Sequence, residues 1–199
     1  MPSELQEVRA IFTDGGLVMA AIALVAVVLY GVSFAAYSYV SRGNLTTRDN
    51  ERWRQWINDP ASAEGRVGDI IRYILDSKKL SVNRVHRRFD EVREVLVLAV
   101  DRRLVIITTL IAAAPMTGLL GTVIGMLEMF AGLSSGGGKQ SMQMIASGMK
   151  QALFTTLTGL VVALPGMFMA TFVRGKRNRI EVTLTQLQAA IVSEKFKSL

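Results

Sequence analysis

The stretch LVIITTLIAAAPMTGLLGTVIGMLEMFAGL, Leu104–Leu133, decides the fold. At 1.5 Å of rise per residue it is longer than the roughly 30 Å hydrocarbon core of a bilayer needs, and Glu128 is its only charge. A carboxylate in the middle of a membrane helix costs about 3 kcal/mol or more, so such a group normally faces a bundle interior or a wet cavity. Outward from this stretch lie two more apolar runs, Leu17–Val40 with 24 uncharged residues and Ala152–Val173 with 22. The pattern predicts an all-α, polytopic membrane protein with three transmembrane helices. The first run follows Glu4, Glu7 and Asp14 against a single Arg9, and it is too long for the apolar region of a signal peptide. It is expected to be retained as an anchor.

Charge placement predicts the orientation. Of 23 Lys and Arg, 14 lie in 41–103 and 6 in 174–199, while 1–16 holds one and 134–151 holds two. Basic residues stay on the cytoplasmic side, so the N-terminus is expected outside and the C-terminus inside. The resulting scheme is an outer N-terminal segment 1–16, spans at 17–40, 104–133 and 152–173, a cytoplasmic helical insertion 41–103, an outer connection 134–151 and a cytoplasmic tail helix 174–199.

The net charge of +7 does not point to nucleic acid. In 41–103 the 14 bases alternate with 10 acids, no signature for base or phosphate readout is present, and a solvated face beside anionic lipid headgroups accounts for the excess. There is no cysteine, and the one histidine, His86, lies among surface arginines; neither a thiol nucleophile nor a metal site can be assembled. No cofactor is implied. The insertion reads as helices, with Trp53 and Trp56 in the first, Pro60 and Gly65 as punctuation, and Val67, Ile70, Ile71, Ile74 and Leu75 at helical spacing in the next. From Val82 the stripe Val85, Phe89, Val92, Leu96 and Ala99 predicts a helix that continues into the second span. Ile180, Leu184, Leu187 and Ile191 mark a similar stripe in the tail.

The second and third spans each carry a seam of small residues. Ala114, Gly118, Gly121, Gly125, Glu128 and Gly132 recur at steps of four and three, as do Ala152, Thr156, Gly159, Ala163, Gly166 and Ala170. Small seams let membrane helices approach closely, where dispersion and polar contacts replace the missing hydrophobic drive. Gly118, Gly121, Gly125, Gly159 and Ala163 are the candidate packing seam. Thr122, Thr155 and Thr156 can either satisfy their own backbone carbonyls or line a polar path. Glu128 fits packing alone less well.

The run Ala114-Pro115-Met116-Thr117-Gly118-Leu119-Leu120-Gly121-Thr122-Val123-Ile124-Gly125-Met126, with Gly148, Ala152-Leu153, Thr155-Thr156, Gly159-Leu160-Val161 and Pro165, closely resembles the ExbB/TolQ/MotA family, on its ExbB side. The resemblance covers the whole architecture. It implies a bacterial inner-membrane pentamer around two single-span ExbD-like subunits that converts proton flow into work on a TonB-like partner. It also implies pore-facing roles for Thr122 and Thr156, near which Thr156 and Gly159 are expected to approach the oligomer axis. Many relatives place a glutamate immediately before the Ala-Leu pair, whereas this chain has Gln151, preceded by Lys150. Glu128 then either supplies an outer acidic ring by another route or pairs with Lys150 or Lys139 near the interface.

Three function classes follow. A proton-driven energy transducer feeding TonB-dependent uptake leads, with TolQ-like and stator-like roles behind it. An uncoupled membrane scaffold is the second, for which Gln151 argues. A membrane enzyme is the third, and no nucleophile, metal cluster or phosphate loop supports it.

Overall fold

In hydrocarbon every backbone donor and acceptor must be satisfied within the chain, which leaves helices as the economical solution for long apolar segments. A computed structural model describes residues 16–41, 50–76, 81–134, 136 and 138–196, and among these residues no strand occurs. The helices are α1 (Gly16–Ser41), α2 (Asn50–Asn58), α3 (Gly65–Leu75), α4 (Val82–Ser134) and α5 (Lys139–Lys195), with a 3-10 turn at Pro60–Ser62. Of these, α1, α4 and α5 are each long and apolar enough to cross a membrane. The outer segment predicted for 1–16 lies outside the described residues except for Gly16.

The chain forms two compact units, Met1–Ser33 with Ile106–Ala170, and Phe34–Val105 with Thr171–Leu199. In the first, Val18, Met19, Ile22 and Leu29 of α1 are buried with Ile107 and Ala114 of α4 and Ala163 and Ala170 of α5. Close approach is enforced at Gly166, where a Cβ would stand 2.9 Å from Leu29 Cδ2 and 3.1 Å from Ile111 Cγ1. The Tyr30 hydroxyl donates to the Val162 carbonyl at 3.0 Å. Large apolar side chains such as Leu119, Phe130, Leu153 and Phe168 are exposed, the surface expected of helices whose solvent is lipid.

The second unit is packed as a water-soluble protein is, with large side chains inside. Trp53, Ile57, Val67, Ile71 and Ile74 are buried in its short helices, and Gly68 lets α3 approach the turn, since a Cβ there would lie 2.6 Å from the Ala63 carbonyl carbon. Asp59 caps the turn by accepting from the Ala61 amide at 3.2 Å. At the other end of α3, Arg88 donates to the carbonyls of Tyr73 and Ile74, with its guanidinium 5.0 Å from the Tyr73 ring. Cations are favoured there because the last carbonyls of a helix lack amide partners. Tyr73 in turn donates to Glu91 at 2.8 Å, and that bond raises the phenol's pKa. Farther along, Arg177 forms a two-pronged pair with Asp101, at 2.9 and 3.0 Å, and also meets Glu181; the Asp101 bond is the main cause of its raised pKa.

Helix α5 begins earlier than the apolar run it carries, and one register differs from the sequence reading. The segment predicted as an outer connection, 134–151, is mostly helix, because α5 begins at Lys139. Between α4 and α5, Gly136 and Gly138 adopt positive φ, and the apolar run starts later than the helix because Lys139, Gln140 and Lys150 interrupt the pattern. In α4 the stripe Val85, Phe89, Val92, Leu96 and Ala99 shifts: Val85, Phe89, Val97, Val100 and Leu104 are buried, while Val92, Leu96 and Ala99 are half-buried. The place on the seam between Phe89 and Val97 is taken by Arg93, a charged residue that an apolar stripe passes over. Arg93 reaches Asp90 at 3.1 Å and Gln188 at 3.5 Å, and its Nε is buried without a partner. The tail stripe Ile180, Leu184, Leu187 and Ile191 is buried as read.

Candidate functional site

The small residues of α4 and α5 face each other in antiparallel register within the first unit. A Cβ on Gly159 would stand 2.7 Å from the Ala114 carbonyl oxygen. One on Gly118 would be 2.8 Å from the Thr155 carbonyl oxygen, and one on Gly121 would overlap the Thr155 side chain. Gly125 lies against Gly148 and Ala152, whose backbone nitrogen would be 2.9 Å from an added Cβ. Backbone atoms cannot rotate away as side chains do, so glycine is what permits this spacing. Ala163 continues the seam with 5% of its surface exposed. Gly148 is the seam residue that counting from Ala152 missed, because it precedes the apolar run; its spacing of four from Ala152 is the available signal.

The threonines divide by what their hydroxyls reach. Thr155 is fully buried and donates to its own helix, to the carbonyls of Gln151 at 2.9 Å and Ala152 at 3.2 Å. Thr122 is half-buried and likewise donates within its helix, to Leu119 at 2.7 Å. Thr156 instead crosses to the Gly118 carbonyl at 3.3 Å, so it joins the two helices. Gly159, expected near an oligomer axis, sits in the α4–α5 contact.

Glu128 and Gln151 meet at the edge of this seam. Gln151 is 6% exposed, and Glu128 is exposed. With the Gln151 amide turned so that its nitrogen faces the carboxylate, the orientation that satisfies both groups, Nε2 donates to the two Glu128 oxygens at 3.2 and 2.8 Å. Gly16, at φ +59°, lies on another side of the amide, and a Cβ there would stand 3.3 Å from the amide's other terminal atom, which is the oxygen once the nitrogen faces Glu128. Beside the pair an entirely apolar hollow of about 160 Å³ is lined by Gly125, Met129, Gly148, Met149 and Ala152, among others. The neighbouring Lys150 places its ammonium 5.8 Å from the Phe154 ring. Among the described residues no group of His, Cys, Asp or Glu side chains is placed to hold a metal ion.

Three apolar helices, two of them joined along a glycine seam with one carboxylate at its edge, define a multi-pass membrane protein. Residues 65–186 match the MotA/TolQ/ExbB proton channel family, and the chain belongs to that family. It is 38% identical over 62 residues to the biopolymer transport protein exbB1 of Vibrio cholerae, a stretch covering 31% of this chain and 27% of that protein. It is 46% identical over 61 residues to a putative biopolymer transport protein ExbB-like 1 of Synechocystis, covering 30% and 24%. The Tol-Pal system protein TolQ of Haemophilus influenzae is 34% identical over 84 residues, covering 42% and 36%. The matched stretches thus span about a quarter to a third of the length of these relatives. Three helices long and apolar enough to cross a membrane, together with the family match, make this a multi-pass inner-membrane protein.

Proposed function

We propose that the chain is the ExbB-like subunit of a motor, driven by the proton-motive force, that energises TonB-dependent uptake across the outer membrane. The observation that carries this reading is the α4–α5 seam, in which Gly118, Gly121 and Gly125 bring a threonine-bearing helix into backbone contact within the region that matches the proton-channel family. In this reading the chain forms a pentamer around two ExbD-like single-span subunits, with Thr122 and Thr156 toward the pore. A proton falling through 100 mV releases about 2.3 kcal/mol. The described spans hold one carboxylate, Glu128, so a continuous proton path needs a second carboxylate, supplied by the partner. Five subunits around a core of two cannot satisfy both symmetries at once, and successive protonations would drive stepwise rotation.

Deleting the gene should abolish TonB-dependent, energy-requiring uptake across the outer membrane, and the purified chain should carry a single-span partner with one membrane aspartate. Normal uptake in the deletion strain would end this reading. The similarity to TolQ favours a second reading, an envelope role; loss of envelope integrity with uptake intact would select it. The orientation proposed is N-terminus outside and C-terminus in the cytoplasm, from the distribution of basic residues. A cysteine at Ser134 should react with an impermeant thiol reagent in intact cells and one at Ser62 should not; the reverse labelling would invert the topology.

A further inference from the structure

We propose that Gln151 is a positioning residue for Glu128, and that the two side chains form one carboxylate–amide unit at which this subunit accepts the translocated proton. The proposal rests on the motor reading and adds to it the group in this chain that handles the proton.

The argument begins with cost. A buried primary amide loses several kcal/mol of hydration unless it is hydrogen-bonded, and Gln151 is more than nine-tenths buried. With the amide turned to the orientation that satisfies both groups, its nitrogen meets the carboxylate, 3.2 and 2.8 Å from the two oxygens. Glu128 alone would be a long flexible side chain on the exposed face of an apolar helix. Held by the amide, it occupies one position at the edge of the seam.

The backbone around the pair is fixed by contacts that leave little slack. Gly125, one turn before Glu128, abuts Gly148 and Ala152, which flank Gln151 closely in sequence. Gly16, in a left-handed conformation that favours glycine, leaves room for the amide on another side. The pair is therefore mounted on two helices whose separation is set by backbone contact, the rigidity a functional group needs.

The chemistry divides accordingly. A carboxylate has about four acceptor positions, and the one amide N–H shared between its two oxygens uses no more than two of them. The rest stay open because Glu128 is exposed. A proton arriving there binds a carboxylate oxygen, giving the neutral acid; its departure restores the anion, and no other bond is made or broken. Gln151 does not titrate and contributes placement.

Carboxyl and carboxamide groups have nearly the same shape, so the unit can be tested by exchanging its members. The full-length chain, in its own membrane with its partners, is compared as wild type, Glu128→Gln, Gln151→Met and the exchange Glu128→Gln with Gln151→Glu. Uptake, assembly of the complex and the melting curve of the purified protein are measured for each. Glu128→Gln should cut uptake by about a hundredfold or more, the scale on which lost proton-transfer groups act, while the complex still assembles. Gln151→Met, which keeps the length of the side chain, should lower uptake severalfold. The exchange should recover most of the uptake, because the carboxyl group then stands on the other helix of the same pair. Failure of the exchange to exceed Glu128→Gln, or wild-type uptake in Gln151→Met or Glu128→Gln, would overturn the proposal and leave the motor reading intact. Should deletion of the gene leave uptake unchanged, the motor reading falls. The pairing is then judged on melting: both single variants should melt lower than wild type, and an exchange that melts no higher than the worse of them refutes it.

Discussion

The two units of this protein use the same helical period to opposite ends. Where α4 and α5 meet in the first unit, the residues in contact are Ala114, Gly118, Gly121, Gly125, Gly148 and Gly159, and the large apolar side chains are exposed. In the second unit the buried positions are Phe89, Val97, Val100, Leu184, Leu187 and Ile191. The difference is one of solvent. Water expels a phenylalanine at about 25 cal/mol for each Å² buried, whereas lipid does not, so in lipid the gain must come from backbones brought close enough for dispersion and weak polar contacts. Amphipathicity that reads correctly for one unit is inverted in the other.

The largest effect that bears on this contrast is expected at Phe89, which is wholly buried. Phe89→Ala should destabilise the second unit by about 3–5 kcal/mol, followed by the fluorescence of Trp53 and Trp56 during denaturation in mild detergent. A change below 1 kcal/mol, roughly what an exposed site gives, would mean that this unit is not held by apolar burial. A smaller effect of opposite origin is expected in the seam. Gly125→Leu should cost about 1–3 kcal/mol or more, because the added atoms meet the backbone of Gly148 and Ala152; its thermal unfolding should be compared with that of Gly31→Ala, which has nothing within 4 Å of the added Cβ. The Gly31 variant should match wild type or gain up to about 1 kcal/mol, since alanine loses less entropy in a helix. Equal melting of the two glycine variants would break the claim that contact, and not composition, makes the seam.

The sequence displayed the fold well, for identifiable reasons. Three long apolar runs, charged only at Glu128, announced the apolar helices, and Gly118, Gly121 and Gly125 announced a face where two of them touch. The helix through Val85 and Phe89 into the second span was legible because no glycine or proline interrupts it before Pro115. What escaped was whatever depended on partners across the fold. Arg93 moved the buried stripe by occupying a place that apolar counting skips, and Gly148 lay beyond the hydropathy window. The candidate site was half visible. Gln151 and Glu128 each stood out, one as an uncharged residue where an acid is common in the family and the other as a lone carboxylate. They lie 23 positions apart on different helices, and no spacing rule within one helix brings two such residues together. Their meeting is a property of the hairpin formed by α4 and α5.

Pro115 and Pro165 lie inside α4 and α5, and each deletes one rung of its helix, leaving the carbonyls of Ile111 and Val161 without the amide that would normally bond to them. Nearby hydroxyls partly reinforce these turns, Thr117 donating to Ala113 at 2.9 Å and Tyr30 to Val162 at 3.0 Å, but a hydroxyl swings where an amide cannot. A rod with one rung missing is softest at that point. Each such point adjoins a close helix contact, Ala114 against Gly159 and Gly166 against Leu29 and Ile111, so bending there would be felt by the packing itself.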